Sequence, residues 1–251
     1  LKNKEKYSTF LDLYDSFGVY VADDELSKSY AKAYGVDTLY QYQHGGLPNI
    51  ACEWPTSSYL NFTALTALSY SIFAPSNTAI NSFFDSFWKI GGYSSMQEVD
   101  ALALNYFLYQ FIYGGSMLFP EELGDDELKN LAGSSLNINP AALNEKTMCV
   151  NGALYGMDEI KEPSTFASVI GPLFQYKSAR SFLYALLGSS LFSSYVSDLS
   201  KYIVLVPTAE QFEASGIRTV YSTQGLEAEG DDGWAEISNT AKQNIVYLHS
   251  A

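Results

Sequence analysis

Two stretches of the chain, 132 residues apart, repeat one order of apolar and polar positions. Tyr70-Ser71-Ile72-Phe73-Ala74-Pro75-Ser76-Asn77-Thr78-Ala79-Ile80 returns as Tyr202-Ile203-Val204-Leu205-Val206-Pro207-Thr208-Ala209-Glu210-Gln211-Phe212. Each opens on an apolar run with β-branched and aromatic residues, which fits a strand with both faces largely covered. The proline that follows, Pro75 or Pro207, cannot donate to a sheet ladder, so pairing is expected to stop there. Ser76 or Thr208 then stands where a helix N-cap belongs, because its side-chain oxygen can accept a free N–H of the first turn. In the first copy Ile80, Phe83, Phe84 and Phe87 follow at three- and four-residue spacing and predict an amphipathic helix; in the second, Phe212 opens the equivalent stretch. The interval is about one domain length, well beyond the roughly 20 to 50 residues of stacked repeats, and predicts two copies of one module.

Strand, proline, hydroxyl cap and aromatic helix in this order resemble the fasciclin-like domain family. Pro75, Ser76 and Asn77 in the first copy, and Pro207 and Thr208 in the second, fall at its motif positions. Leu136 to Asn139, and then Val150-Asn151-Gly152 running on to Ile160, are similar to the family's closing strands. Asn151-Gly152 is also a hairpin signal on its own physics, since a type I′ turn needs positive φ at both central residues. The resemblance implies an α+β fold of two tandem modules, 1–166 and 167–251. Each is expected to be a small β-sandwich or wedge of short, mostly antiparallel strands with helices packed at one side. The closing strands have no counterpart in the second copy, which is therefore expected to be truncated or diverged.

Phe182 to Leu187 resembles the family's opening helix, and Phe10 to Tyr14 takes that part in the first module. The longer interval before Tyr70 predicts an insertion over roughly Val21 to Leu60, a surface excursion of the kind that carries what differs between relatives. Its Tyr40, Tyr42, His44, Trp54 and Tyr59 are the candidate ligand contacts, because Tyr and Trp pair a large apolar face with a polar tip and suit both protein hot spots and sugar stacking. Phe83, Phe84, Phe87, Phe107, Phe111 and Phe182 sit at helical spacing and are expected to build core. A Tyr-His pair linked to adhesion and packing in the family corresponds here to Tyr109-Gln110 and, with one residue between, to Tyr247-Leu248-His249. A polar side chain hydrogen-bonded to backbone serves the packing role equally well, and Gln can supply it.

Charge and chemistry narrow the function. The net charge of −14, from 14 basic and 28 acidic residues, disfavours nucleic acid and anionic lipid as partners. The acidic clusters at Asp23 to Glu25, Glu121 to Glu127 and Glu227 to Asp232 lack the alternating oxygens and closing Glu of a calcium loop and are expected to be solvated loops. No stretch is long and apolar enough for a transmembrane span, and Leu1 to Lys6 does not lead into a signal-peptide core. Cys52 and Cys149 fit either a disulfide from the insertion to a core strand or two buried thiols. His44 and His249 lie in no His-Glu-x-x-His, and neither a nucleophile elbow nor a phosphate-cradling glycine motif occurs, so no catalytic, cofactor or metal residue is assigned.

The expected function is a non-catalytic adhesion or binding protein, extracellular or at the cell surface, with a protein or glycan partner. A lipoprotein of the bacterial outer membrane is the form expected. The alternative is a glycan-binding accessory protein of a bacterial polysaccharide-utilisation system, working through the aromatic insertion.

Overall fold

A computed structural model describes residues 5–48, 69–124, 127–136, 138–149, 152–196 and 201–251. Helices and sheets are segregated in an α+β arrangement. The chain divides into two units. Leu1–Asn81 with Phe107–Ile160 form the first, and Ser82–Tyr106 with Lys161–Ala251 the second.

The first unit is built on a four-stranded sheet. Its strands are β3 (Tyr70–Pro75), β4 (Ile112–Gly114), β5 (Leu143–Cys149) and β6 (Gly152–Met157), in the order β4-β3-β6-β5. β3 is antiparallel to β4 and parallel to β6. Being paired on both edges, it is buried from Ser71 to Pro75, as its apolar run predicts. Phe73 stacks on Tyr155 of β6 at 5.2 Å, and both are fully buried, each contributing on the order of 2 kcal/mol by leaving water. β3 ends at Pro75 as expected, and helix α2 (Asn77–Ser86) begins beyond Ser76, whose Oγ accepts the Ala79 N–H at 3.4 Å. Asn77 acts on the neighbouring helix α1 (Ser8–Asp15). Its amide donates to Glu5 O and Ser8 Oγ, and its oxygen accepts the Thr9 N–H at 2.9 Å. β5 and β6 form the predicted hairpin, but Gly152 pairs with Cys149 and so opens the strand rather than sitting inside the turn.

The second unit holds helices α4 (Arg180–Gly188), α5 (Ala209–Ala214) and α6 (Asn239–Leu248), together with most of α3 (Ala101–Tyr109). Phe83, Phe87, Trp88, Phe166 and Phe174 make its aromatic core, with Trp88 Nε1 donating to Phe174 O at 3.1 Å. Between α5 and α6 lies an antiparallel meander of β7 (Ile217–Val220), β8 (Gly225–Gly230) and β9 (Gly233–Glu236). The acidic run expected as a loop is therefore largely strand. Cross-strand pairing accounts for this, since Arg218 on β7 neutralises Glu227 on β8 and lies over the Trp234 ring.

The repeated pattern has a repeated register on one edge. In the first copy Ile72 pairs with Ile112, and Phe73 N–H donates to Phe111 O at 2.8 Å. In the second, Val204 bridges Ser250, and Leu205 N–H donates to His249 O at 2.7 Å. Ile203 and Ala251 complete this short ladder by exchanging bonds of 2.8 and 3.0 Å. Each partner segment directly follows a helix, α3 in one case and α6 in the other. The second cap is also present, with Gln211 Oε1 accepting the Thr208 N–H at 2.8 Å. On the other edge the copies differ. The expected covered strand is, in the second copy, an extended segment with Ile203 70% and Leu205 67% exposed, because it is paired along one side only among the described residues.

Candidate functional site

The insertion of the first unit forms a two-stranded ribbon, β1 (Gly18–Ala22) with β2 (Tyr40–His44), joined by a helical run over 24–34. Asp23 sets the start of that run by accepting the Leu26 N–H at 2.7 Å, and its other oxygen holds the Gln41 amide. This is a capping role for an acidic cluster expected to be solvated. Among the described residues no group of acidic, His and Cys side chains is arranged to hold a metal.

Strand alternation puts Tyr40, Tyr42 and His44 on one face of β2, and the antiparallel register sets Ala22, Tyr20 and Gly18 opposite them. The face forms a line of rings. Tyr14 of α1 lies 4.0 Å from His44, His44 5.1 Å from Tyr42, and Tyr42 5.0 Å from Tyr20. Gly18 opposes His44 in the register, and a Cβ there would run into the Tyr42 phenol.

Exposure rises along this line. His44 is 5% exposed and packs its ring on Tyr14 of α1, with Nε2 3.5 Å from the Asp15 carboxylate, rather than presenting a face to solvent. Tyr42 is half-buried, whereas Tyr40 is 59% and Tyr20 75% exposed. Tyr30 and Tyr34 of the helical run are exposed as well. Tyr20 was not among the expected contacts, since it precedes the insertion by one residue; its signal is its place directly across from Tyr42. Trp54, Tyr59, Cys52 and Asn151 lie outside the described residues. Cys149 is exposed at the end of β5 as a free thiol.

The remaining motif positions have structural partners. The Tyr109 hydroxyl donates to Gly46 O just beyond β2, and burial raises its pKa. Together with Tyr14 Oη, which donates to Pro48 O at 2.6 Å, it ties down the base of the ribbon. Gln110 accepts from Asn130 Nδ2 at 3.1 Å, and Asn130 in turn closes its own turn by accepting the Ala132 and Ser134 N–H groups. His249 takes the register place of Phe111, not of Gln110, and its Nδ1 lies 2.7 Å from Ile245 O.

No protein-family model matches the chain, and no curated protein does. Among solved structures it is similar to a FAS1 domain pair from the insect cell adhesion molecule fasciclin I, at 14% identity and a TM-score of 0.25. The likeness is distant. It covers 63% of this chain and 60% of that one, less than two thirds of the domain pair's length.

Proposed function

We propose that this chain is a non-catalytic binding protein of fasciclin type, working at the cell surface, with the tyrosine face of the β1–β2 ribbon as its contact surface. The observation that carries the reading is the exposure of Tyr20 at the free end of a ring line whose other end is buried at His44 and Tyr14, with Tyr40 exposed on the same face of β2. A ligand meeting this face finds large apolar surfaces held rigid by backbone pairing, at small entropic cost. Tyr faces suit a protein partner and a sugar ring alike. The partner is accordingly a surface protein or glycan, and anchorage as a bacterial envelope lipoprotein belongs to the same reading. Among the described residues no helix is long and apolar enough to cross a membrane.

The test compares the native chain with a Tyr20→Ser, Tyr34→Ser, Tyr40→Ser variant on a glycan array and in a cell-adhesion assay. These residues are exposed, so the variant is expected to fold and to lose binding by about a thousandfold, roughly what the loss of two hot-spot rings removes. Loss confined to the array identifies the polysaccharide-utilisation alternative. Undiminished binding in both assays would refute the ribbon as the contact surface.

A further inference from the structure

The edge of Ile203–Val206 that faces away from His249–Ala251 has no strand beside it among the described residues, whereas the matching edge of β3 carries β6. Three details define what fits there. The first is direction. Ile203 and Leu205 turn their N–H groups to the His249–Ala251 side, so alternation aims the N–H and C=O groups of Val204 and Val206 at the open side. The second is cover. Phe73 holds the register place of Leu205 and is fully buried against Tyr155, while Leu205 is 67% exposed. The third is the final donor. Ser76 N–H is met by the Met157 carbonyl of β6 at 2.8 Å, and Thr208 N–H is met at the same distance by Gln211 Oε1, a side-chain oxygen where the first copy uses a strand carbonyl.

A groove of about 530 Å³ lies against the end of this segment, lined by Leu205, Val206 and Pro207, by Phe212 and Ile217, and on the paired side of the ladder by Ile245 and His249. Helix α5, which walls it through Phe212, also carries exposed Glu210 and Glu213. With a chain charge of −14, that wall repels an acidic segment.

We propose that this edge docks an extended, neutral or basic segment of a partner polypeptide. The segment lies parallel to Ile203–Val206 as β6 lies along β3, with an aromatic or large apolar side chain opposite Leu205. Main-chain bonds to Val204 and Val206 supply affinity, and the groove selects the side chains. Gln211 leaves Thr208 as the end of the segment arrives. The site is separate from the tyrosine ribbon, and failure here leaves the ribbon reading untouched.

The probe is a synthetic peptide of the β6 sequence, Gly152 to Met157, with two lysines added at each end; a copy with glutamates in their place is the charge control. Calorimetry is expected to show binding of the lysine form and at least about tenfold weaker binding of the glutamate form. Hydrogen exchange is expected to show new protection at the Val204 and Val206 amides. Val204→Pro removes an N–H aimed at the open edge without touching the Leu205–His249 bond, and is expected to weaken the peptide about tenfold. Leu205→Asp, at a solvent-exposed position, is the second variant should the proline disturb folding, and it is expected to weaken binding similarly. Gln211→Ala frees the last donor and is expected to tighten binding. The proposal is overturned by absence of binding, by binding that both edge variants leave intact, or by protection confined to β3. Dimerisation of the chain alone in sedimentation, abolished by Val204→Pro, would give the edge to a second copy instead and overturn the partner.

Discussion

Asp100 is 7% exposed in the second unit, yet both its oxygens are engaged. One accepts the Leu102 N–H at 3.0 Å at the start of α3, and the other takes the Tyr184 hydroxyl. Burial, and then the Asp100 charge, raise the pKa of Tyr184, and burial pushes the nearby Tyr93 phenol up to about 12. An unfolded tyrosine titrates near 10, so above that pH the unfolded chain releases protons that the folded one retains. The stability these phenols contribute is therefore complete below pH about 10 and lost as pH climbs toward the folded value of about 12 for Tyr93. Urea unfolding at stepped pH should show the decline beginning near pH 10, and a Tyr93→Phe, Tyr184→Phe variant should show less of it. A native profile that stays level to pH 12 would contradict the assignment.

Gly152 governs the element that distinguishes the two copies. A Cβ there would lie 1.8 Å from the Tyr70 carbonyl oxygen, a backbone atom with nowhere to go, so Gly152→Ala must lift β6 off β3 at its first paired position. The expected cost is about 3 kcal/mol or more in chemical denaturation, against less than about 0.5 kcal/mol for Gly124→Ala, where nothing lies within 4 Å. The Asn-Gly pair announced a hairpin here, and the proline and hydroxyl cap announced the end of β3 and the start of α2, because those effects are local. The burial of β3 followed from its composition only because a second apolar strand, far along the chain, arrives to cover it. The same composition at Ile203–Val206 remains exposed. Likewise Tyr40 and Tyr42 were legible as aromatics in an unusual insertion, but Tyr20 becomes their neighbour only through cross-strand register, and His44 turns inward only because Tyr14 comes from α1 to meet it. The meander from Ile217 to Glu236 hid its strands beneath acidic residues, of which Glu227 is offset across the ladder by Arg218 and Glu236 by Lys242 of α6.

For the molecule as a whole, the charge of −14 sets which partners can approach. Duplex DNA and phosphatidylserine vesicles should show no retention at about 0.1 M salt, where screening reaches only about 10 Å, and gel-shift and flotation assays check both. Salt also separates the two classes of partner. Capture of a basic protein should weaken as salt rises from about 0.05 to 0.5 M, whereas stacking of a neutral glycan on the ribbon should hardly respond. The ladder between Ile203 and Ala251 has its own consequence during synthesis. Ile203 leaves the ribosome 48 residues before the residue that exchanges hydrogen bonds with it, so for that interval Ile203 to Val206 is a bare apolar strand in a nascent chain. Pro207, which cannot extend a cross-β ladder, then acts as a gatekeeper against clumping on the polysome.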